Sequence, residues 1–167
     1  MKPPEILKPW LVHQQFLTEK LHAITNDTYL KVLDQRREAP DAWDISILKL
    51  KATQVIHRQI LMCAYEAPCW YARTIIPDTT WLANTRLFDR LETESLGHLI
   101  FNGTEIQRAY LTHYMISPSS IEYGWLNESW HRGVSTLWVR QSEFVVNSKD
   151  SFFLIEVLLP GLLRYLS

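Results

Sequence analysis

The sequence is poor in the residues that mark disulfide-rich, metal-binding and nucleotide-binding proteins. It contains two cysteines and five glycines in 167 residues. Two cysteines are too few for a disulfide framework or a structural zinc site. We therefore interpret Cys63 and Cys69 as free thiols, and a disulfide across the turn between them stays open as the less favoured alternative. The glycine-rich loop and the phosphate-binding lysine motif of nucleotide-binding folds are also absent.

The chain also lacks an excess of charge and a long apolar run. Its net charge is −1 and its 17 lysines and arginines are scattered, which argues against a nucleic-acid partner. The longest apolar run, residues 152–163, is interrupted by Glu156 and Pro160 and is shorter than the ~20 residues that span a bilayer. The opening MKPPEILKP has no long apolar stretch of a secretory signal. We expect a cytoplasmic protein without a membrane span.

What is present is the composition of one globular domain, which we expect to cover residues 1–167. Hydrophobic periodicity predicts helices from Pro9 to the Asn26-Asp27 pair and through 82–92, with a short helical turn at 95–101. It predicts strands at 28–33, 55–64, 70–76, 105–115, 134–146 and 152–159. The charged segment 34–51 and the polar segment 117–132 are interpreted as flaps.

Strands joined by hairpins, with few helices between them, predict an α+β fold. We expect a single antiparallel sheet of about six strands, with helices and the two flap-like excursions covering an internal ligand pocket.

Two charged residues lie in apolar strands. Arg58 is the one charge on its face of strand 55–64, and Glu156 is the one charge in strand 152–159. A buried charge costs several kcal/mol unless it is paired. Either the two residues form a salt bridge with each other or lie at a sheet edge, or they face a cavity and bind a ligand. In the second case Arg58 pairs with a carboxylate and Glu156 with a hydroxyl.

Other polar residues carry weaker signals. Arg73, near the end of its strand, is interpreted as a structural pairing partner, and His57, on the face opposite Arg58, as a satisfied surface or core histidine. The sequence shows no metal-ligand spacing and no constellation for nucleophilic catalysis. We expect no metal.

Four motifs in register point to a family. RQILMCA at 58–64, ART-x-x-P at 72–77, SLGHLIF at 95–101 and LIEVLLP at 154–160 together resemble the bacterial chorismate pyruvate-lyases, which carry out the first committed step of ubiquinone biosynthesis. The resemblance covers most of 55–160. It implies a chorismate lyase-like fold, and a lyase that converts chorismate into 4-hydroxybenzoate and pyruvate without a cofactor, as a monomer.

The resemblance also implies roles for individual residues. Arg58 and Glu156 fall on the substrate-contacting arginine and the acidic contact of the family, and Leu96 on a leucine that meets the ligand carboxylate through its main chain. The backbone amides of Leu96 and Gly97 would add partial positive charge. A loose alignment places Leu17 on an N-terminal contact of the family. The implied catalytic residues are Glu156 and Arg58.

Two departures from the family pattern bear on substrate range. Ser95 stands where the family tends to have proline, and Glu94 adds a negative charge near a site for an anion. The main alternative function is a non-catalytic domain that senses small aromatic acids, as in certain transcription regulators with this fold. Such domains follow a helix-turn-helix, for which we see no room before residue 52. A protein that kept the fold and lost catalysis is a further alternative.

Overall fold

A six-stranded antiparallel sheet forms the centre of the computed structural model, which describes residues 2–92 and 106–166. Its order is β1-β2-β3-β6-β5-β4, and every neighbouring pair is antiparallel. The strands are β1 (Thr28–Glu38), β2 (Val55–Ala64), β3 (Ala67–Pro77), β4 (Ile106–Ile116), β5 (Leu137–Val146) and β6 (Asp150–Leu158). The predicted fold class is confirmed.

Short helices connect and cover the strands. The α-helices are α1 (Lys8–Leu11), α2 (Leu17–Thr25), α3 (Ala42–Leu48), α4 (Asp78–Ala83) and α5 (Thr85–Phe88). The 3₁₀ helices are Asp89–Glu92, Ile121–Trp125, Glu128–Trp130 and Pro160–Tyr165. None of the helices in the described ranges is long and apolar enough to cross a membrane.

The predicted single helix from Pro9 to Asn26 is wrong, because the chain breaks between α1 and α2. The apolar stripe does not run through: Leu17 and Leu21 are buried, whereas Ile24 is half exposed. The predicted end is right, since Asn26 caps α2 in the left-handed conformation with φ 53°.

The interpretation of 34–51 as a flap is also wrong. Residues 34–38 continue β1, whose charged side chains suit a half-exposed edge strand. The rest contains α3, which Asp41 begins with a capping box: its side chain accepts from the Asp44 amide and the Asp44 side chain accepts from the Asp41 amide. Trp43 and Leu48 anchor α3 in the core.

Both faces of the sheet are buried, and each has its own core. One face, here called the cavity face, carries Ile60, Trp70 and Leu154, and α1, α2 and α5 pack on it. The opposite face, here called the far face, carries Tyr71 and Ile155 and is covered by α3 and segment 117–132. Alternation along each strand therefore sorts the side chains into two environments.

Segment 117–132 packs on the far face, contrary to the prediction that it covers the ligand pocket. It places Tyr123, Trp125, Leu126 and Trp130 against the far-face core. The edge of the Trp43 ring meets Trp125, with centroids 5.0 Å apart. Both segments predicted as flaps thus cover the face that lies away from the cavity described below.

The two cysteines are buried free thiols, as predicted. Cys63 belongs to the far-face core and Cys69 to the cavity-face core. Because their side chains point to opposite sides of the sheet, the alternative of a disulfide between them is excluded.

Candidate ligand-binding site

A cavity lies between the cavity face and the start of α2. The free volume inside it is about 30 Å³, room for about two water molecules. Its wall is apolar apart from a few polar groups, as is typical of small-molecule sites. The lining residues are Phe16, Leu17, Thr18, Leu30, Arg58, Ile60, Met62, Trp70, Ala72, Thr74, Leu154 and Glu156.

Arg58 supplies a buried positive charge to this cavity. It is 2% exposed and lies opposite Thr74 on β3, so the sheet fixes its position. Burial lowers the pKa of the Arg58 guanidinium to about 10, which leaves it protonated at neutral pH. A fully charged, planar donor inside an apolar wall is suited to a carboxylate.

Glu156 supplies the negative charge and forms an ion pair with Arg140. The two residues are direct cross-strand partners on β6 and β5. Arg140 Nε lies 3.3 Å from Glu156 Oε1, with side chains 0% and 6% exposed. The pair is not aligned as a hydrogen bond, and Glu156 Oε1 has no hydrogen-bond partner among the described residues. This oxygen is therefore available to a ligand hydroxyl.

Arg140 also holds the segment that closes the cavity. Its Nη1 donates to the Trp10 carbonyl at 2.9 Å and its Nη2 to the His13 carbonyl at 3.0 Å. These carbonyls lie at the end of α1 and in the connection to α2, where the helix leaves backbone acceptors unpaired. One guanidinium thus ties Glu156 and the α1–α2 connection together.

A third guanidinium, that of Arg108 on β4, lies next to the same end of the site. Its Cζ is 4.9 Å from the Phe144 ring centroid and 5.9 Å from that of Phe16, which lines the cavity. Burial, the charge of Arg140 and, in the opposite direction, the charge of Glu156 bring the pKa of Arg108 to about 10. The nearby imidazole of His13 has a lowered pKa, through burial and then Lys20, Arg140 and Arg108.

Of the residues predicted for the site, the structure brings Arg58, Glu156 and Leu17 to one cavity. Leu96 and Gly97 lie outside the described residues. The sequence left open whether Arg58 and Glu156 pair with each other, lie at a sheet edge or face a cavity. Both residues are at most 5% exposed. Within the described ranges the ion-pair partner of Glu156 is Arg140 rather than Arg58.

Sequence reasoning missed Arg140 and Arg108. Arg140 carried a usable signal, because it shares its face of β5 with Trp138, Phe144 and Val146. That is the same pattern of one cation in an apolar row that pointed to Arg58. Arg108 carried none, because the register of β4 shifts between Arg108 and Tyr110.

The far face holds a separate polar cluster around His57, which is 1% exposed. Its Nδ1 lies 2.7 Å from Glu38 Oε2 and its Nε2 lies 2.6 Å from Asp44 Oδ2. Arg73 donates to Asp41 at 2.9 Å, which confirms the interpretation of Arg73 as a structural pairing partner and of His57 as a satisfied core histidine.

This cluster has the spacing of a possible metal site. Ligand atoms of Asp41, Asp44 and His57 lie within 4.8 Å of one another. However, Asp41 already pairs with the Arg73 guanidinium, and Asp44 Oδ2 with both the His57 ring and the Asp41 amide. These hydrogen bonds support a structural role for the cluster, although Asp44 Oδ1 and Arg73 Nε have no hydrogen-bond partner among the described residues.

An antiparallel α+β sheet that buries charged side chains beside a largely apolar cavity is typical of proteins that bind small molecules. A profile of the chorismate lyase family matches residues 1–164, and the chain belongs to this family.

Relatives with the family name align along most of the chain. A probable chorismate pyruvate-lyase of Nitrosomonas eutropha is 25% identical over 160 residues, covering 95% of this chain and 89% of the relative. A probable chorismate pyruvate-lyase of Psychromonas ingrahamii is 28% identical over 157 residues, covering 94% and 84%.

A solved structure shares the fold. The effector domain of PhnF from Mycobacterium smegmatis superimposes with a TM-score of 0.61 at 13% identity, covering 89% of this chain and 90% of that chain. At this identity the likeness concerns the fold alone.

Proposed function

We propose that this protein is a chorismate lyase that eliminates pyruvate from chorismate to give 4-hydroxybenzoate, for ubiquinone biosynthesis in the cytoplasm. It would act as a single-domain monomer without a cofactor. The observation that carries the proposal is the burial of Arg58 and Glu156 in one cavity of a chorismate lyase family member.

The reaction asks for positioning more than for strong acid–base chemistry. The ether bond between the ring and the enolpyruvyl oxygen breaks, and its electron pair leaves with that oxygen. The neighbouring ring carbon, which bears the hydroxyl group, loses its hydrogen as a proton and the ring becomes aromatic. The methylene carbon of the enolpyruvyl group gains a proton, which gives pyruvate. Aromatisation makes the reaction downhill, so holding one reactive conformer is the main task.

Each proposed contact has a physical reason. Arg58 binds the ring carboxylate, because its buried fork can pair with both oxygens. Glu156 accepts a hydrogen bond from the ring hydroxyl and orients the reacting carbon. The backbone amides of Leu96 and Gly97 add donors for the carboxylate, and Leu17 supplies an apolar wall. Enclosure by Phe16 and Leu17 excludes water, which strengthens these interactions.

The decisive experiment is a turnover assay with purified protein and chorismate. Pyruvate is followed by coupled reduction with lactate dehydrogenase, and 4-hydroxybenzoate by its absorbance. We expect both products in equal amounts. Binding of 4-hydroxybenzoate without release of pyruvate would favour a sensing domain and contradict the proposal.

Two variants test the assigned roles. Arg58→Ala should abolish binding of 4-hydroxybenzoate while the protein stays folded, and Glu156→Gln should mainly slow turnover. Arg132→Ala, which removes an exposed arginine, is the matched control and should leave both unchanged. If Arg58→Ala keeps near-normal affinity for the product, the carboxylate partner has been assigned wrongly.

A further inference from the structure

The proposed substrate has a second carboxylate that the contacts above leave unassigned. Chorismate carries one carboxylate on the ring and another on the enolpyruvyl group. The enolpyruvyl ether and the ring hydroxyl are on adjacent ring carbons. If Glu156 holds the hydroxyl, the second carboxylate must lie at the Glu156 end of the site, away from Arg58. A cation at that end is therefore required.

Arg140 is close to Glu156, but both of its terminal nitrogens already donate to backbone carbonyls. Its Nη1 and Nη2 donate to the carbonyls of Trp10 and His13, and its Nε faces the Glu156 carboxylate. To bind the substrate, Arg140 would have to release the α1–α2 connection. It is better described as a positioning residue for Glu156 and for this connection.

Arg108 has donors to spare. Its Nε and Nη1 are buried and have no hydrogen-bond partner among the residues that the structure describes. Its guanidinium is held against the rings of Phe144 and Phe16, which stack with centroids 5.6 Å apart. A buried donor without a partner is unfavourable, so a ligand oxygen that meets these atoms is strongly favoured.

Arg108 lies on the cavity face. It is the cross-strand partner of Phe144, whose side chain belongs to the cavity-face core. Phe16, over which the guanidinium is placed, lines the cavity itself. Arg108 and Arg140 with Glu156 carry a net charge of plus one at this end of the site, which complements a carboxylate.

We propose that Arg108 binds the enolpyruvyl carboxylate of chorismate, and that it thereby distinguishes the dicarboxylate substrate from the monocarboxylate product. The inference rests on the proposed function. It adds a specificity-determining residue at the Glu156 end of the site, and it assigns to Phe16 the role of holding that residue in place.

The test compares substrate with product in Arg108→Gln. We expect kcat/KM for chorismate to fall between about tenfold and a hundredfold, as for loss of a hydrogen-bonded charge. The inhibition constant of 4-hydroxybenzoate, which lacks the second carboxylate, should change less than about threefold. Arg108→Lys keeps the charge and should recover part of kcat/KM. Arg132→Gln is the control for removing one positive charge from the surface.

The outcomes separate the two proposals. If the unmodified protein does not turn chorismate over, the proposed function fails. If it does, and Arg108→Gln lowers kcat/KM for chorismate and the affinity for 4-hydroxybenzoate by the same factor or changes neither, the role of Arg108 is overturned while the function stands. Thermal unfolding of each variant shows whether a loss of kcat/KM comes from a damaged fold. If Arg108→Gln does not fold, Arg108→Lys decides, because a smaller loss that affects chorismate but not 4-hydroxybenzoate must appear in that variant too.

Discussion

Replacing Arg140 by glutamine should destabilise the protein more than any other single loss of charge at the site. The side chain is fully buried and connects three parts of the chain: Glu156 on β6, the Trp10 carbonyl and the His13 carbonyl. Glutamine is shorter, has no charge, and its amide has a single nitrogen with which to donate. The variant therefore leaves a buried carboxylate without its cation and at least one backbone carbonyl without its donor.

The magnitude follows from these losses. Removing one partner of a buried ion pair costs about 3–5 kcal/mol, and a hydrogen bond to a charged group contributes about 1.5–3 kcal/mol. The losses overlap, so we expect the free energy of unfolding to fall by about 3–5 kcal/mol. Glu156→Gln should cost less, about 1–3 kcal/mol, because Arg140 keeps its two carbonyl acceptors.

The assay is urea unfolding at pH 7, followed by tryptophan fluorescence, for both single variants and the double variant. The loss in free energy of unfolding of the double variant should be smaller than the sum of the two single losses by about 1–3 kcal/mol, because the second change removes a charge that the first left unpaired. The free energy of unfolding of Arg140→Lys should fall between those of the unmodified protein and of Arg140→Gln. A loss below about 1 kcal/mol for Arg140→Gln, or strict additivity with Glu156→Gln, would refute the view that the pair is energetically coupled.

Two further predictions concern stability away from the cavity. Burial opposes protonation of His57, but the hydrogen bonds to its two carboxylate partners outweigh burial and raise the pKa of His57 above 6.5. The stabilisation by protonated His57 is therefore full below pH 6.5 and is lost as the pH rises through the raised pKa. His57→Gln should flatten this part of the pH profile of urea unfolding. A Cβ at Gly161 would lie 2.2 Å from the Pro68 carbonyl oxygen, so Gly161→Ala should lower the free energy of unfolding by about 1–3 kcal/mol in the same assay. Gly124→Ala is the control and should be near neutral, because a Cβ there has nothing within 4 Å. Equal effects of the two changes would contradict the close approach at Gly161.

The central strands could be predicted from the sequence because both of their faces are buried. Strand β2 has the predicted bounds, 55–64, and β6 differs from the prediction by two residues at its start and one at its end. In such strands the apolar runs are long and any charge stands out, which is how Arg58 and Glu156 were found. Edge strand β1 was cut short at 33, because its exposed charges look like a loop when the neighbouring strand is not known.

Arg108 could not be placed on the cavity face by alternation, because β4 contains a bulge. The register with β5 shifts between Arg108 and Tyr110: Arg108 lies opposite Phe144, whereas Tyr110 lies opposite Glu143. Since paired residues share a face, the two arms of β4 have opposite parity. A period-two reading that continues through the bulge assigns one arm to the wrong face, and the sequence gives no mark of the extra residue.

The two faces of the sheet pair their buried cations differently, and this difference supports the placement of the proposed site on the cavity face. On the far face, His57 and Arg73 each have a carboxylate of the same chain within 2.9 Å, although Arg73 Nε and Asp44 Oδ1 have no hydrogen-bond partner among the described residues. On the cavity face, Glu156 forms an ion pair with Arg140, and Arg108 keeps buried donors that no described residue meets. The proposed ligand, which brings a carboxylate to Arg108, should therefore also stabilise the fold.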